Sequence, residues 1–138
     1  MADHFVIDAD GHCHEPEGAN LAKWMPKEYA HLAPNRVTDS AGYGHMMVEG
    51  RLTSRRRWGG GWDRGEVFAP HIERTRPGMT DPLKRLPDMD EEGIDVAVIF
   101  GTGIALMVNG MADKPLAALI CHAVNRWLVE EYLVPDPK

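Results

Sequence analysis

The sequence predicts an α/β fold built on a parallel sheet, and three observations predict it. Two short apolar, β-branched runs, Phe5–Asp10 and Ile94–Phe100, each end at a glycine. A segment of helical period follows each run, one over residues 82–92 and one over 114–133. Strands that alternate with helices imply a parallel sheet joined by crossovers.

The first strand, residues 5–10, reads Phe5-Val6-Ile7-Asp8-Ala9-Asp10 before Gly11. It carries apolar groups on both faces, the pattern of a strand covered on both sides. Regular structure returns at Asp81, a good N-cap, with Pro82 at the first helical position. Leu83, Leu86 and Met89 follow at helical spacing, and Gly93 is a natural stop. Pro87 removes an interior backbone bond, so this helix bends or begins there. The second strand, residues 94–100, runs from Ile94 to Phe100 and meets the turn Gly101-Thr102-Gly103. Asp113 then caps the helix over 114–133, whose stripe is Leu116, Leu119, Ile120, Ala123, Val124, Trp127, Leu128 and Tyr132.

Residues 15–80 read as one long loop, broken by Pro16, Pro26, Pro34, Pro70 and Pro77 and by Gly59-Gly60-Gly61. Leu21–Tyr29 is expected to hold a helical turn or two, and Thr38–Val48 a short hairpin. Loops of this length are usually functional or partly disordered. Trp24, Tyr29, Tyr43, Trp58, Trp62 and Phe68 give this one packing groups, so it reads as an excursion over one end of the fold. Either the aromatics wall a substrate site there, or they anchor the loop on the outer helices or against a partner subunit.

The 138 residues suit one domain, with 43% hydrophobic and 26% charged residues. A net charge of −6 argues against nucleic acid as the main partner, and Arg55-Arg56-Arg57 reads as a solvated loop. No apolar run of membrane-spanning length occurs and the N-terminus lacks a signal pattern, so no membrane partner is expected. Two cysteines, Cys13 and Cys121, lie far apart, which suits a reducing, cytoplasmic setting.

The chemistry concentrates in Asp8-Ala9-Asp10-Gly11-His12-Cys13-His14-Glu15-Pro16. Strand side chains alternate, which places Asp8, Asp10, His12 and His14 on one face at the strand's C-terminal end. Asp10 and His12 at i and i+2 can converge on one cation, carboxylate oxygen and imidazole nitrogen suiting zinc, manganese or iron. Taken alone, such a pair is more often a solvated turn, and its place at the end of a buried N-terminal strand is what favours a metal. Asp8 reads as a hydrogen-bonded support, Cys13 as packing and His122 as a structural helix residue. His14 and Glu15 either line the mouth or start the loop. His45 and His71 have no assigned place. Arg51 is a candidate for a substrate carboxylate, through bidentate pairing.

The opening from Ile7 to Pro16 resembles that of the amidohydrolase-related family, the metal-dependent hydrolases and decarboxylases similar to aminocarboxymuconate-semialdehyde decarboxylase. The stretch Arg76–Asp81 through Arg85–Val98 resembles the family more specifically, and Leu116-Ala117-Ala118 with Asn125-Arg126-Trp127-Leu128 fits the helix that follows. The resemblance covers nearly the whole chain, loosely in the middle loop. It implies the first two β/α units of a (β/α)8 TIM barrel, with a long first βα loop and the barrel incomplete. It implies one divalent metal, zinc foremost and manganese or iron next, held by Asp10 and His12. Asp10 stands where many members have a histidine. The implied function is that of an N-terminal fragment of a metal-dependent hydrolase or decarboxylase, acting on a small carboxylated or aromatic molecule and inactive alone. Its further ligands and catalytic groups are expected in later strands, and its partners are the remainder of the barrel or further copies of the chain. The contrasting expectation is a non-catalytic module, or a split-enzyme subunit completed by another chain.

Overall fold

A computed structural model describes residues 4–52 and 76–133. The two apolar runs form strands β1 (Ile7–Cys13) and β5 (Val96–Gly101), which pair in parallel. Both are displaced from the expected 5–10 and 94–100 toward the C-terminus, so that His12 and Cys13 lie within the first strand. Its register runs Ile7 to Val96 and Asp8 to Ala97, then resumes at Gly11 to Ile99 and His12 to Phe100. Ala9 and Asp10 therefore face a single partner residue, Val98, in a bulge.

The bulge corrects the expected face assignment. Residues paired in register point the same way, so Asp8, Gly11 and Cys13 share a face with Ala97, Ile99 and Gly101. Helices cover that face: Cys13 and Ile99 pack with Trp127 and Tyr132. The opposite face carries Ile7, His12, Val96, Val98 and Phe100 and is open. Phe5 is 71% exposed, Ile7 57%, Phe100 48% and Val98 43%. Among the described residues the sheet is thus covered on one side, not on the two sides its composition suggested. An open apolar face of this kind on a parallel sheet is a surface built to be buried.

Helix α2 (Pro82–Glu92) keeps the expected bounds. The Asp81 side chain accepts from Leu83 N at 3.0 Å, Pro82 opens the helix and Gly93 closes it at φ 70°. The helix runs through Pro87, which lies on its exposed side, where water can serve the carbonyl left unpaired. Its leucines do not face the sheet: Leu83 and Leu86 are exposed. Instead Arg85, Asp88, Met89 and Glu92 line a cleft of about 300 Å³ with Asp8, Ile94 and Ala97.

Residues after β5 were expected to be loop as far as Asp113. They form a short helix, α3 (Ile104–Met107), and a 3-10 turn, Val108–Gly110. The expected helix over 114–133 divides into α4 (Lys114–Trp127) and a π-helical stretch, Leu128–Tyr132. Asp113 caps α4 by accepting from Leu116 N at 2.9 Å. His122 is exposed on α4, not packed as expected.

The expected loop over 15–80 holds regular structure in its described part. It contains α1 (Ala19–Ala22), a 3-10 turn (Ala30–Leu32) and an antiparallel sheet of β2 (Asn35–Thr38), β3 (Gly44–Val48) and β4 (Arg51–Leu52). The hairpin expected over Thr38–Val48 is β2–β3, begun three residues earlier at Asn35. Glu49 and Gly50 join β3 to β4, both at positive φ, as a two-residue hairpin turn requires. Asp39 organises the β2–β3 turn, accepting from Ala41 N and Tyr43 N at 2.9 Å each and pairing with His45 Nε2 at 2.9 Å. Those donors hold its carboxyl below the ordinary aspartate range, the Tyr43 amide most of all.

This excursion supplies much of the core. Leu21, Met25 and Ala33 pack with Ile104, Met111, Leu116, Ala117, Ile120, Ala123 and Val124. Trp24 lies against the same cluster, with the Arg126 guanidinium 5.4 Å from its ring centre. Of the two roles open to the loop's aromatics, Trp24 takes the anchoring one, on outer helix α4. Trp58, Trp62 and Phe68 lie outside the described residues, as do Arg55-Arg56-Arg57 and His71.

Candidate metal centre

Asp10 and His12 project from the C-terminal half of β1, on the strand that bears the open apolar face. The Asp10 Oδ1 to His12 Nε2 distance is 3.4 Å. Two ligand atoms held about 2.1 Å from a tetrahedral zinc stand about 3.4 Å apart, so the pair has the span that a shared cation requires. The donors, one carboxylate oxygen and one imidazole nitrogen, suit zinc. The second imidazole nitrogen of His12, Nδ1, is buried and has no hydrogen-bond partner among the described residues. No group of three or more metal-capable side chains occurs among those residues. The arrangement is therefore a partial donor set, open toward the uncovered side of the sheet.

Asp8 does not join the pair, because the bulge turns it to the helix-covered face. Its Oδ1 accepts from Asp10 N at 3.0 Å, fixing the backbone that carries the Asp10 carboxylate. This is the supporting role expected of it, in a half-buried setting. Cys13 packs as expected: it is fully buried. Burial, reinforced by the nearby Glu15 charge and opposed by Arg85, pushes its thiol up to about 12. A neutral thiol under Trp127 and Tyr132 is a packing group rather than a ligand.

His14 and Glu15 separate in role. His14 N donates to Met79 O at 2.8 Å, while its Nε2 is buried without a partner among the described residues. Glu15 turns inward. Its carboxylate accepts from Thr102 N at 3.1 Å, Gly103 N at 3.0 Å and Ala105 N at 2.8 Å. It thereby joins the end of β1 to the end of β5 and caps the short α3. A methyl group on Gly101 would stand 2.6 Å from Glu15 Cδ, so glycine is required where the carboxylate crosses β5. Sequence reasoning left Glu15 undecided, because its partners are backbone amides about ninety residues away, which no side-chain pattern announces.

Two further residues, Tyr132 read only as part of a helix stripe and Arg85 only as part of the family resemblance, were given no role at the site in sequence. Arg85 Nη1 donates to the His12 carbonyl at 2.7 Å and lies 3.4 Å from Tyr132 Oη. Tyr132 in turn donates to Gly78 O. Burial pushes the Tyr132 phenol up, against the pull of Arg85. Arg51, the candidate for a substrate carboxylate, is exposed on edge strand β4 of the excursion sheet.

No protein-family model matches the chain, and no curated protein matches it in sequence. Among the described residues, no helix is long and apolar enough to cross a membrane. The structure is similar to that of an amidohydrolase from Mycobacterium avium subsp. paratuberculosis K-10, with a TM-score of 0.64 and 18% identity. The match covers 96% of this chain and 40% of that one. At that identity the similarity concerns the fold: the chain folds as a portion of an amidohydrolase does.

Proposed function

We propose that the chain forms the first two β/α units of a metal-dependent (β/α)8 barrel hydrolase, with Asp10 and His12 as two of its metal ligands. The observation that carries this reading is the placement of the 3.4 Å Asp10–His12 pair on β1, at the C-terminal end of a sheet whose helix-free face is apolar and open. In such barrels the helices lie outside, side chains fill the interior and the active site lies at the C-terminal ends of the strands. α2 and the α4 region cover one face here, so the opposite face would be the barrel interior. A divalent cation held there would polarise a substrate carbonyl and lower the pKa of a coordinated water to about 7. Catalytic zinc takes about three protein ligands and an open position. The third ligand would then come from the β/α units that cover the open face, and the chain alone would turn nothing over. The substrate would be small and carboxylated or aromatic, with Arg51 a candidate to pair with its carboxylate.

Zinc titration against a chromogenic chelator tests the ligand pair. The chain should show one weak, saturable binding step, and Asp10→Ala combined with His12→Ala should remove it while the circular dichroism spectrum stays the same. Unchanged zinc binding by the folded double variant would contradict the assignment.

A further inference from the structure

The geometry points to Arg85 as a positioning residue for His12: from the back of the sheet it fixes the backbone on which the candidate ligand is mounted, and Tyr132 holds it there.

Carbonyls alternate sides along a strand, and the Cys13 carbonyl accepts from Thr102 N on the β5 side, at 3.0 Å. The His12 carbonyl therefore points to the other, unpaired edge of β1. His14 N to Met79 O and the Glu15 carboxylate already tie the end of β1, but a free carbonyl at His12 would leave the peptide that carries the imidazole able to rock between those ties. Arg85 Nη1 meets this carbonyl at 2.7 Å, a charge-assisted bond. The approach is possible because two glycines make room. A methyl group on Gly11 would stand 3.0 Å from Arg85 Nη2, and one on Gly78 would stand 2.7 Å from Arg85 Cα. Gly78 O in turn accepts from Tyr132, whose hydroxyl lies 3.4 Å from Arg85 Nη1. Tyr132 is buried at the end of the π-helical stretch, packed on Trp127 with ring centres 5.6 Å apart. The wider π turn sets where the Tyr132 side chain enters. The chain of contacts thus runs from the end of α4, through Tyr132 and Arg85, to the backbone of His12. The bond Arg85 makes to this pair goes to the His12 carbonyl, so its influence passes through the main chain.

The functional meaning of this relay rests on reading Asp10 and His12 as a metal pair, but the positioning itself is measurable without metal. In the metal-free chain, three-bond couplings at His12 χ1 should report one dominant rotamer. Arg85→Met should average those couplings while amide shifts of α4 and the excursion stay in place, and Arg85→Lys should restore the single rotamer in part. Tyr132→Phe, which removes one hydroxyl, should produce a weaker version of the same averaging and serves if Arg85→Met fails to fold. A single, unchanged His12 rotamer in the folded Arg85→Met chain, or in Tyr132→Phe where that chain does not fold, would overturn the proposal. Cobalt titration of the same variants then reads the consequence. Affinity should fall by roughly tenfold or more in Arg85→Met, the range seen when supports of metal ligands are removed. Absence of cobalt binding by the unaltered chain would refute the metal reading alone, since the rotamer measurement still decides the role of Arg85.

Discussion

Glu15→Ala should destabilise the chain by about 3 kcal/mol or more in urea unfolding, the largest loss expected of any single substitution among the polar residues described here. The carboxylate is buried and accepts three backbone N–H bonds, from Thr102, Gly103 and Ala105. Alanine leaves Gly103 N and Ala105 N without this partner, in a place water reaches poorly, while Thr102 N keeps its bond to the Cys13 carbonyl, and each orphaned donor costs about 1–3 kcal/mol. The effect is also topological, because these bonds join the ends of β1 and β5 and start α3. Glu15→Gln should recover part of the loss, since its amide keeps one acceptor oxygen. A shift below about 0.5 kcal/mol for Glu15→Ala, the level of an ordinary surface change, would show that the carboxylate does not hold these strands.

The opposite expectation holds for the apolar face of the sheet. Val98→Thr with Phe100→Thr should leave unfolding stability nearly unchanged, while lowering self-association and binding of a hydrophobic dye. In a covered sheet, truncating a buried phenylalanine costs about 3–5 kcal/mol. Here both side chains are more than two-fifths exposed, at 43% and 48%, so there is little burial to lose. Threonine keeps the β-branched shape that strands favour. A loss of several kcal/mol would mean that the face is already covered in solution, by a second copy or by residues outside the described segments.

Local sequence signals were read correctly where a single residue type does the work. Asp81 with Pro82, Gly93, and Asp113 mark helix ends by side-chain and backbone chemistry that acts over three or four residues. The parallel pair followed from two β-branched runs separated by a helix. Three features were not legible. The bulge at Ala9–Asp10 is set by pairing with β5, so strict alternation misassigned Asp8. The side of α2 turned inward carries Arg85, Asp88 and Met89 while Leu83 and Leu86 are exposed, so its apolar period did not mark the face that packs. Of the sheet within the excursion only the hairpin over Thr38–Val48 was legible; the added strand β4 and the Asp39 turn, held by backbone amides and by His45, were not. Of the candidate site, the Asp10–His12 pairing was visible as an i, i+2 spacing. The supporting role of Asp8 was legible too, though not its face; the support by Glu15, Arg85 and Tyr132 was not, because those contacts go to backbone groups distant in sequence.

The proposed cation site lies at Asp10 and His12, on the open face of the sheet. Manganese added to the isotope-labelled chain tests it most directly, because the paramagnetic ion broadens the amide signals nearest to it. The acidic flank of α2, with Asp88, Glu91 and Glu92 around Arg76, is the natural competitor for a loosely held cation. The account predicts that substoichiometric manganese broadens first the amides of Asp10, Gly11 and His12 and those of Ile99 and Phe100 opposite them in register. Broadening centred on α2, with the end of β1 still sharp, would contradict it.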